Sequence, residues 1–573
     1  MTEQLDLDAE AAVVAGAEAI SGNDFGARYT AFRTFDRFEG QIEGQHIGLI
    51  SWPGGWLAET KTGLLGLEYD GLYNEAPSGD RPGLDEMMEF AVENDMALSV
   101  VLPTVRYAEA HDQLRDDLSA FLHKLYSGGY GELPQQLFLE IGNEHHVVFE
   151  GADEAAQAEQ YAEIVNVYAD IVSQVETDYY DIDPDQVLFG VQLAHTDEAN
   201  QALINALTDD AILLLSETVL HHRFPHDQDG SEWRTDEVES ALEMWDQAAE
   251  ALGGEGPALF LSSYNIASLT RTEAAEMFLE SHPEKGLSEE DLDLDGRSNA
   301  EFEQYYQDRL AERAYGMEHA EGLLQIFSDY QEIGLEAASV YGWDNEHAAR
   351  SSLTGSDGEQ YIFAPGAIQG MMAESLIGTS VLDWHNDNDE EAGDVSVFGF
   401  DSADKLIVFL AAPDFDEDFY TVEIPLAGLG PVKAIWGESL TAKPPNNWLE
   451  LFDIPASPGV PQDPEAETFS VAFREEYAPQ VEEGIISVEF DEPTQIVRLV
   501  MARTDAGVAE ISEWHGESYV EVLEDPDAEP PGVDDPDGDG GEDDLDLSDS
   551  DDAGFGSLGL MILLPLLMAL GLG

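Results

Sequence analysis

The chain contains no cysteine. That excludes disulfides, thiolate metal sites and a cysteine nucleophile, and leaves the compartment open. Basic residues are also scarce: 22 Lys and Arg stand against 121 Asp and Glu in 573 residues, a formal net charge of -99. A field of that sign excludes nucleic acid and anionic lipid surfaces as partners. The excess runs along the whole chain, which reads as adaptation to a salty medium, where screening over a few ångströms removes self-repulsion. Three motifs are missing too: the Gly-Lys-Ser/Thr phosphate loop, the Gly-x-Ser-x-Gly elbow and His-Glu-x-x-His. Their absence argues against nucleotide, esterase and zinc-protease chemistry.

Hydrophobic residues make up 43% of the chain, enough for a large core. Over residues 25–345 short apolar runs alternate with helical stretches. The runs are Ile47-Ile50, Ala97-Leu102, Leu137-Ile141, Val187-Leu193, Ile212-Leu220, Ala258-Leu261 and Ala337-Tyr341. Each is nearly continuous in apolar residues, as a strand buried on both faces must be. A further strand at Ala27-Phe35 brings the number to eight, the pattern of a (β/α)₈ barrel. A doubly wound sheet is the alternative, weakened by the lack of a Gly-rich loop after the first strand. The expected division is an N-terminal segment at 1–24, the barrel at 25–372, an antiparallel β-sandwich at 373–523, an acidic disordered linker at 524–554 and an apolar tail at 555–573.

Leu139-Glu140-Ile141-Gly142-Asn143-Glu144 is an apolar strand that ends in Asn-Glu. A parallel barrel delivers its reactive groups from strand C-termini, so Glu144 is the candidate general acid/base. Cleaving a glycosidic bond takes two carboxylates, one to protonate the leaving oxygen and one to attack the sugar or activate water. Asn143 is placed to hold a sugar hydroxyl. Glu140, inside the strand, is a buried charge whose partner the sequence does not identify.

On these residues the 25–345 stretch resembles the clan A glycoside hydrolases, in particular the branch of β-xylosidases, α-iduronidases and arabinofuranosidases, and the trailing sandwich fits that branch. Trp52-Pro53-Gly54-Gly55 resembles the family's Arg-x-Pro-Gly-Gly, and Ile141-Gly142-Asn143-Glu144 its Gly-Asn-Glu. His222-Arg223-Phe224-Pro225 resembles His-x-Tyr-Pro, and Ser263-Tyr264-Asn265 stands where Glu-Trp-Asn carries the nucleophile. The resemblance implies Glu144 as acid/base and an oligo- or polysaccharide as partner, with no cofactor required. It also implies a sugar site shaped by Asn143, Trp52, His222, Tyr264 and Trp343. Two positions depart from the pattern: Ser51 replaces the arginine and Ser263 the nucleophile. A serine does not replace that carboxylate without an activating base of its own. Three readings therefore stand. A different carboxylate, Glu217 or Glu346, completes the pair; or the cleft binds carbohydrate without cleaving it; or the barrel is a structural part of a surface protein.

Asp291-Leu292-Asp293-Leu294-Asp295-Gly296 opens like a calcium loop, but the twelfth position is Phe302 rather than Glu, so Asp291, Asp293 and Asp295 are candidate ligands for a structural calcium against a solvated acidic turn. His145 and His146 are adjacent; on a strand they would face opposite sides and not share an ion. The N-terminus lacks the basic region and apolar core of a secretory signal. Phe555 to Gly573 is 19 uncharged residues, near the minimum for a bilayer span, and reads as an anchor or a sorting tag on an extracellular or cell-surface protein.

Overall fold

A computed structural model describes residues 2–522, apart from 31–33, 61–63, 68–81, 150, 152, 180–185, 216–217, 226–231, 295–296, 311–314, 344–348, 385–394, 453–468 and 516–517. Residues 1–523 form one compact unit; 524–573, with the linker and the apolar tail, lie outside the described residues. Among the described residues no helix is long and apolar enough to cross a membrane.

Eight parallel strands close into a barrel: β1 (Gly26–Arg28), β2 (Leu49–Trp52), β3 (Ala97–Leu102), β4 (Leu137–Ile141), β5 (Val187–Gln192), β6 (Thr218–Arg223), β7 (Ala258–Tyr264) and β8 (Leu335–Val340). Helices fill the crossovers, among them α1 (Phe35–Ile42), α2 (Leu84–Glu93), α3 (His111–Tyr126), α4 (Glu154–Glu176), α5 (Asp197–Ala206), α6 (Glu232–Leu252) and α7 (Met317–Glu332). Two expected runs are corrected. Residues Asp209–Leu215 are helical and β6 begins only at Thr218, while β1 ends at Arg28 and α1 begins at Phe35. A continuous apolar run satisfies a buried helix as well as a buried strand, so periodicity cannot divide it.

The barrel interior is layered. Leu49, Ala97, Phe138, Leu220, Phe260 and Ala337 form one apolar layer. Two residues further along their strands the interior turns polar. There Ser51 Oγ meets Ser339 Oγ at 2.7 Å, and Ser99 Oγ donates to Glu140 Oε1 at 2.6 Å. Side chains two apart on a strand share a face, so the apolar floor and the polar layer stack toward the C-terminal mouth.

The sandwich follows. A larger sheet has the order Ser380–Leu382, Ser396–Asp401, Lys405–Ala411, Ile496–Ala502, Ala434–Lys443 and Val471–Tyr477, with Val520–Glu521 paired to Ala434–Lys443. The smaller sheet runs Thr2–Gln4, Tyr420–Pro425, Ile485–Phe490 and Gln480–Glu482. Thr2–Gln4 pairs in parallel with Tyr420–Pro425, so the N-terminal segment contributes a strand to the sandwich. One face of the larger sheet, with Leu406, Val408 and Leu410, packs on the smaller sheet. The other, with Ile407, Phe409 and Val500, joins the barrel's core. Burial on both faces explains why Lys405–Ala411 and Ile496–Ala502 are buried throughout, whereas Tyr420–Pro425 alternates.

Candidate functional site

The chain leaves β4 through a turn that only certain backbones adopt. Gly142 has φ 78° and Glu144 has φ 41°, ψ 63°. A side chain at Gly142 would press on Thr104 as well as being strained. Left-handed geometry at a glutamate is uncommon and clusters at functional positions. Here it turns Glu144 back over the barrel mouth. Asn143 Nδ2 donates to Glu144 Oε2 at 3.0 Å, and the Glu144 amide donates to Gln192 Oε1 at 3.1 Å. Tyr161, on α4, braces the strands below: its hydroxyl donates to the Ile141 carbonyl and accepts from the Gln192 amide.

Asn143 and Glu144 form one wall of a cavity of about 260 Å³, whose lining also includes Arg28, Thr30, Gly54, Gly55, Leu57, Phe224, Ser263 and Tyr341. It opens at the strand C-termini, where a barrel keeps its active site. Among the described residues that line it, Glu144 is the one carboxylate. Ser263, 3% exposed, supplies the opposite strand end. Gly55 is glycine because a side-chain carbon there would overlap the Asn143 amide. From the cavity lining Arg28 reaches across the barrel. Its Nη1 donates to the Ser262 carbonyl at 2.6 Å and its Nη2 lies 3.4 Å from Glu140 Oε2. Arg28 is thus the partner of the buried Glu140. Beside the mouth Glu59 fixes the loop after β3, accepting from the amides of Thr104 at 2.5 Å, Val105 at 3.2 Å and Arg106 at 3.2 Å.

The expected sugar-site residues divide. Asn143 and Glu144 meet on the cavity wall. Trp52 and Trp343 do not serve as platforms: both are fully buried in the main apolar core and neither lines the cavity, and Trp343 Nε1 donates to Gln369 Oε1 at 3.1 Å. Tyr264 is also corrected to core, at 1% exposure, because β7 presents Ser263 to the cavity and turns the next side chain outward. The aromatic lining comes instead from Phe224 and Tyr341, whose rings lie edge to face at 5.8 Å. Each directly follows the last residue of its strand, Phe224 after Arg223 and Tyr341 after Val340, but only Tyr341 ends an apolar run, so only it carried a signal visible in sequence. Glu217, Glu346 and Asp295 lie outside the described residues, as does the His222 side chain. Asn265 is structural: it donates to the Tyr341 and Ala349 carbonyls and accepts from His319, holding the β7 and β8 ends together.

The calcium expectation finds no support. Asp291 accepts from the amide and hydroxyl of Ser288 at 2.9 and 2.8 Å, closing a capping box, and Asp293 accepts from the Ser298 hydroxyl. The histidine pair is corrected as well. His145 and His146 begin a short helix, His145–Val148, not a strand. His145 stacks on Tyr161 at 5.0 Å, and burial, reinforced by the charge of His146, holds its ring down at about 3, so it is neutral at physiological pH.

Barrel, mouth cavity and trailing sandwich define the class: the fold is that of the clan A glycoside hydrolases. Within it, solved arabinofuranosidases are similar over nearly their full length. A family 51 alpha-L-arabinofuranosidase from Bifidobacterium longum aligns with a TM-score of 0.57 at 11% identity, over 87% of this chain and 99% of that one. The alpha-L-arabinofuranosidase from Thermotoga maritima, solved with arabinose, gives 0.53 at 12% identity, with 87% and 99% covered. The GH51 arabinofuranosidase from Xanthomonas axonopodis pv. citri gives 0.52 at 13% identity, again with 87% and 99%. At these identities the likeness establishes the fold. No protein-family model and no curated protein matches the sequence.

Proposed function

We propose that the mouth cavity holds a terminal sugar residue of an oligo- or polysaccharide, with Glu144 as the proton donor to the glycosidic oxygen. The observation that carries this is the Asn143–Glu144 pair on the cavity wall, at the strand end where a barrel places its acid. The cavity, at about 260 Å³, is smaller than the ~300–1,000 Å³ typical of sites for drug-sized ligands, which suits a single sugar ring. Asn143 would hold a ring hydroxyl and Phe224 and Tyr341 would flank the apolar ring face. In a hydrolase a second carboxylate, Glu217 or Glu346, would activate a water.

A second reading, binding without cleavage, is favoured by Ser263, which occupies the cavity wall where a nucleophilic carboxylate would stand. One experiment separates the two. A panel of aryl glycosides is incubated with and without azide, an external nucleophile that can replace a missing carboxylate. Turnover in plain buffer supports the completed pair. Turnover only with azide, yielding a glycosyl azide, supports a site that keeps its acid and lacks its nucleophile. No turnover, together with no saccharide that shifts the melting temperature, would sink the sugar site altogether.

The acidic composition suits a salt-rich exterior, and the tail at 555–573 would hold the chain at a surface. Unchanged fractionation of a chain lacking that tail would refute the anchor.

A further inference from the structure

We propose that His146, Glu154 and His195 form a binding site for one divalent transition-metal ion of the zinc class. The three residues offer ligand atoms that all lie within 4.8 Å of one another. Zinc takes imidazole nitrogen and carboxylate oxygen at about 2.0–2.2 Å in a tetrahedron, whose ligand-to-ligand edge is then about 3.3–3.5 Å. His195 Nδ1 lies 3.2 Å from Glu154 Oε1, close to that edge. The rings of His146 and His195 are 4.0 Å apart at 68°, an edge-on meeting rather than a stack. A plain His–Glu hydrogen bond does not call for a second imidazole edge-on to the first. In a chain without cysteine, imidazole and carboxylate are the donors left for such an ion.

The supporting contacts are those that orient metal ligands. The His195 amide donates to Glu154 Oε1 at 2.7 Å, and Thr196 Oγ1 donates to Oε2 at 3.4 Å. Gln157 Nε2 donates to the carbonyls of His146 at 2.9 Å and Phe149 at 2.7 Å, fixing the segment that carries the first ligand. The side chains of His195 and Glu154 are 34% and 18% exposed, so an ion can enter and water can complete its shell.

The three ligands stand on separate pieces of chain: the short helix His145–Val148 after β4, the first residue of α4 and the loop after β5. None of them lines the sugar cavity. His146 nevertheless follows Glu144 by two residues. A bound ion would tie the segment carrying the acid to the next loop of the barrel mouth, acting as a positioning clip. Sequence spacing could not show this, because His195 lies 49 residues beyond His146.

The test uses the full chain, stripped with chelator and titrated with zinc in molar salt, which suppresses loose binding to surface carboxylates. The expected result is one equivalent bound with micromolar or tighter affinity, and a four-coordinate visible spectrum when cobalt(II) replaces zinc. His195→Gln and Glu154→Gln should each weaken binding by at least about 100-fold, more than the loss of an outer contact. The cobalt spectrum is read on the unaltered protein, so it stands even where a variant folds poorly. Zinc binding unchanged in both variants, or no cobalt spectrum beyond that of hydrated cobalt, would overturn the site. Saccharide binding does not enter either readout, so failure of the sugar site would leave this result intact.

Discussion

Asn143 and Glu144 are sequence neighbours whose side chains meet, Nδ2 to Oε2 at 3.0 Å, because Glu144 adopts a left-handed backbone. Non-glycine residues held there cost about 1–3 kcal/mol. Glu144→Gly is therefore expected to gain about 1 kcal/mol in stability while losing azide-supported turnover. Glu144→Gln should stay within about 0.5 kcal/mol of the parent and lose turnover by about 100-fold or more. Urea denaturation beside glycoside assays checks both, and full activity in the glutamine variant would remove Glu144 from its role.

Gly55 gives Asn143 its space. Gly55→Ala should displace the amide from Glu144 and weaken saccharide binding about tenfold or more, roughly 1.4 kcal/mol. The overpacking should cost about 1–3 kcal/mol of stability. Calorimetric titration with a saccharide that shifts the parent's melting temperature is the measurement; unchanged affinity would show that Asn143 holds no sugar hydroxyl.

Ser263 stands on the cavity wall with Arg28 on the same lining. Ser263→Glu would place a carboxylate where the resemblance implies a nucleophile, near a guanidinium that favours its ionised form. Turnover of aryl glycosides without azide should then appear. A variant that folds, binds the same saccharides and still needs azide would show that the strand end is wrongly placed for attack.

Arg28 and Glu140 are a buried ion pair. Removing one partner strands the other charge, and Arg28→Met should cost about 3–5 kcal/mol. Arg28→Met with Glu140→Met should cost less than the single change. A double-mutant cycle in urea decides it, and strictly additive losses would disprove the coupling.

His319 is fully buried against Asn265, and burial holds its imidazole down at about 3. The unfolded ring titrates near ~6.5. Because the folded value is the lower one, the stability linked to this ring is complete above the unfolded value. It is lost as pH falls toward the folded one, by up to ~4–5 kcal/mol. The stability difference between the parent and His319→Gln should shrink as pH drops from about 7 to about 4. A difference that stays constant over that range would contradict the assignment.

The barrel was legible because a strand buried on both faces needs an apolar run, and such runs as Leu137-Ile141 announce themselves. The carboxylate on the cavity wall was legible because Asn143-Glu144 closes one of those runs. Other features are not local and could not be read along the chain. Trp52, Trp343 and Tyr264 sit in apolar stretches whichever way their side chains point; only the barrel's closure sends them into the core and leaves Phe224 and Tyr341 on the cavity. The partner of Glu140 is Arg28, 112 residues away, and His146 meets Glu154 and His195 only because β4 and β5 are neighbours in the barrel. Sequence by itself determined which segments must be buried and which strand ends with a carboxylate, since those follow from the free energy of taking each side chain out of water. Tertiary structure alone decided which buried groups face one another, because that depends on strand register and barrel closure.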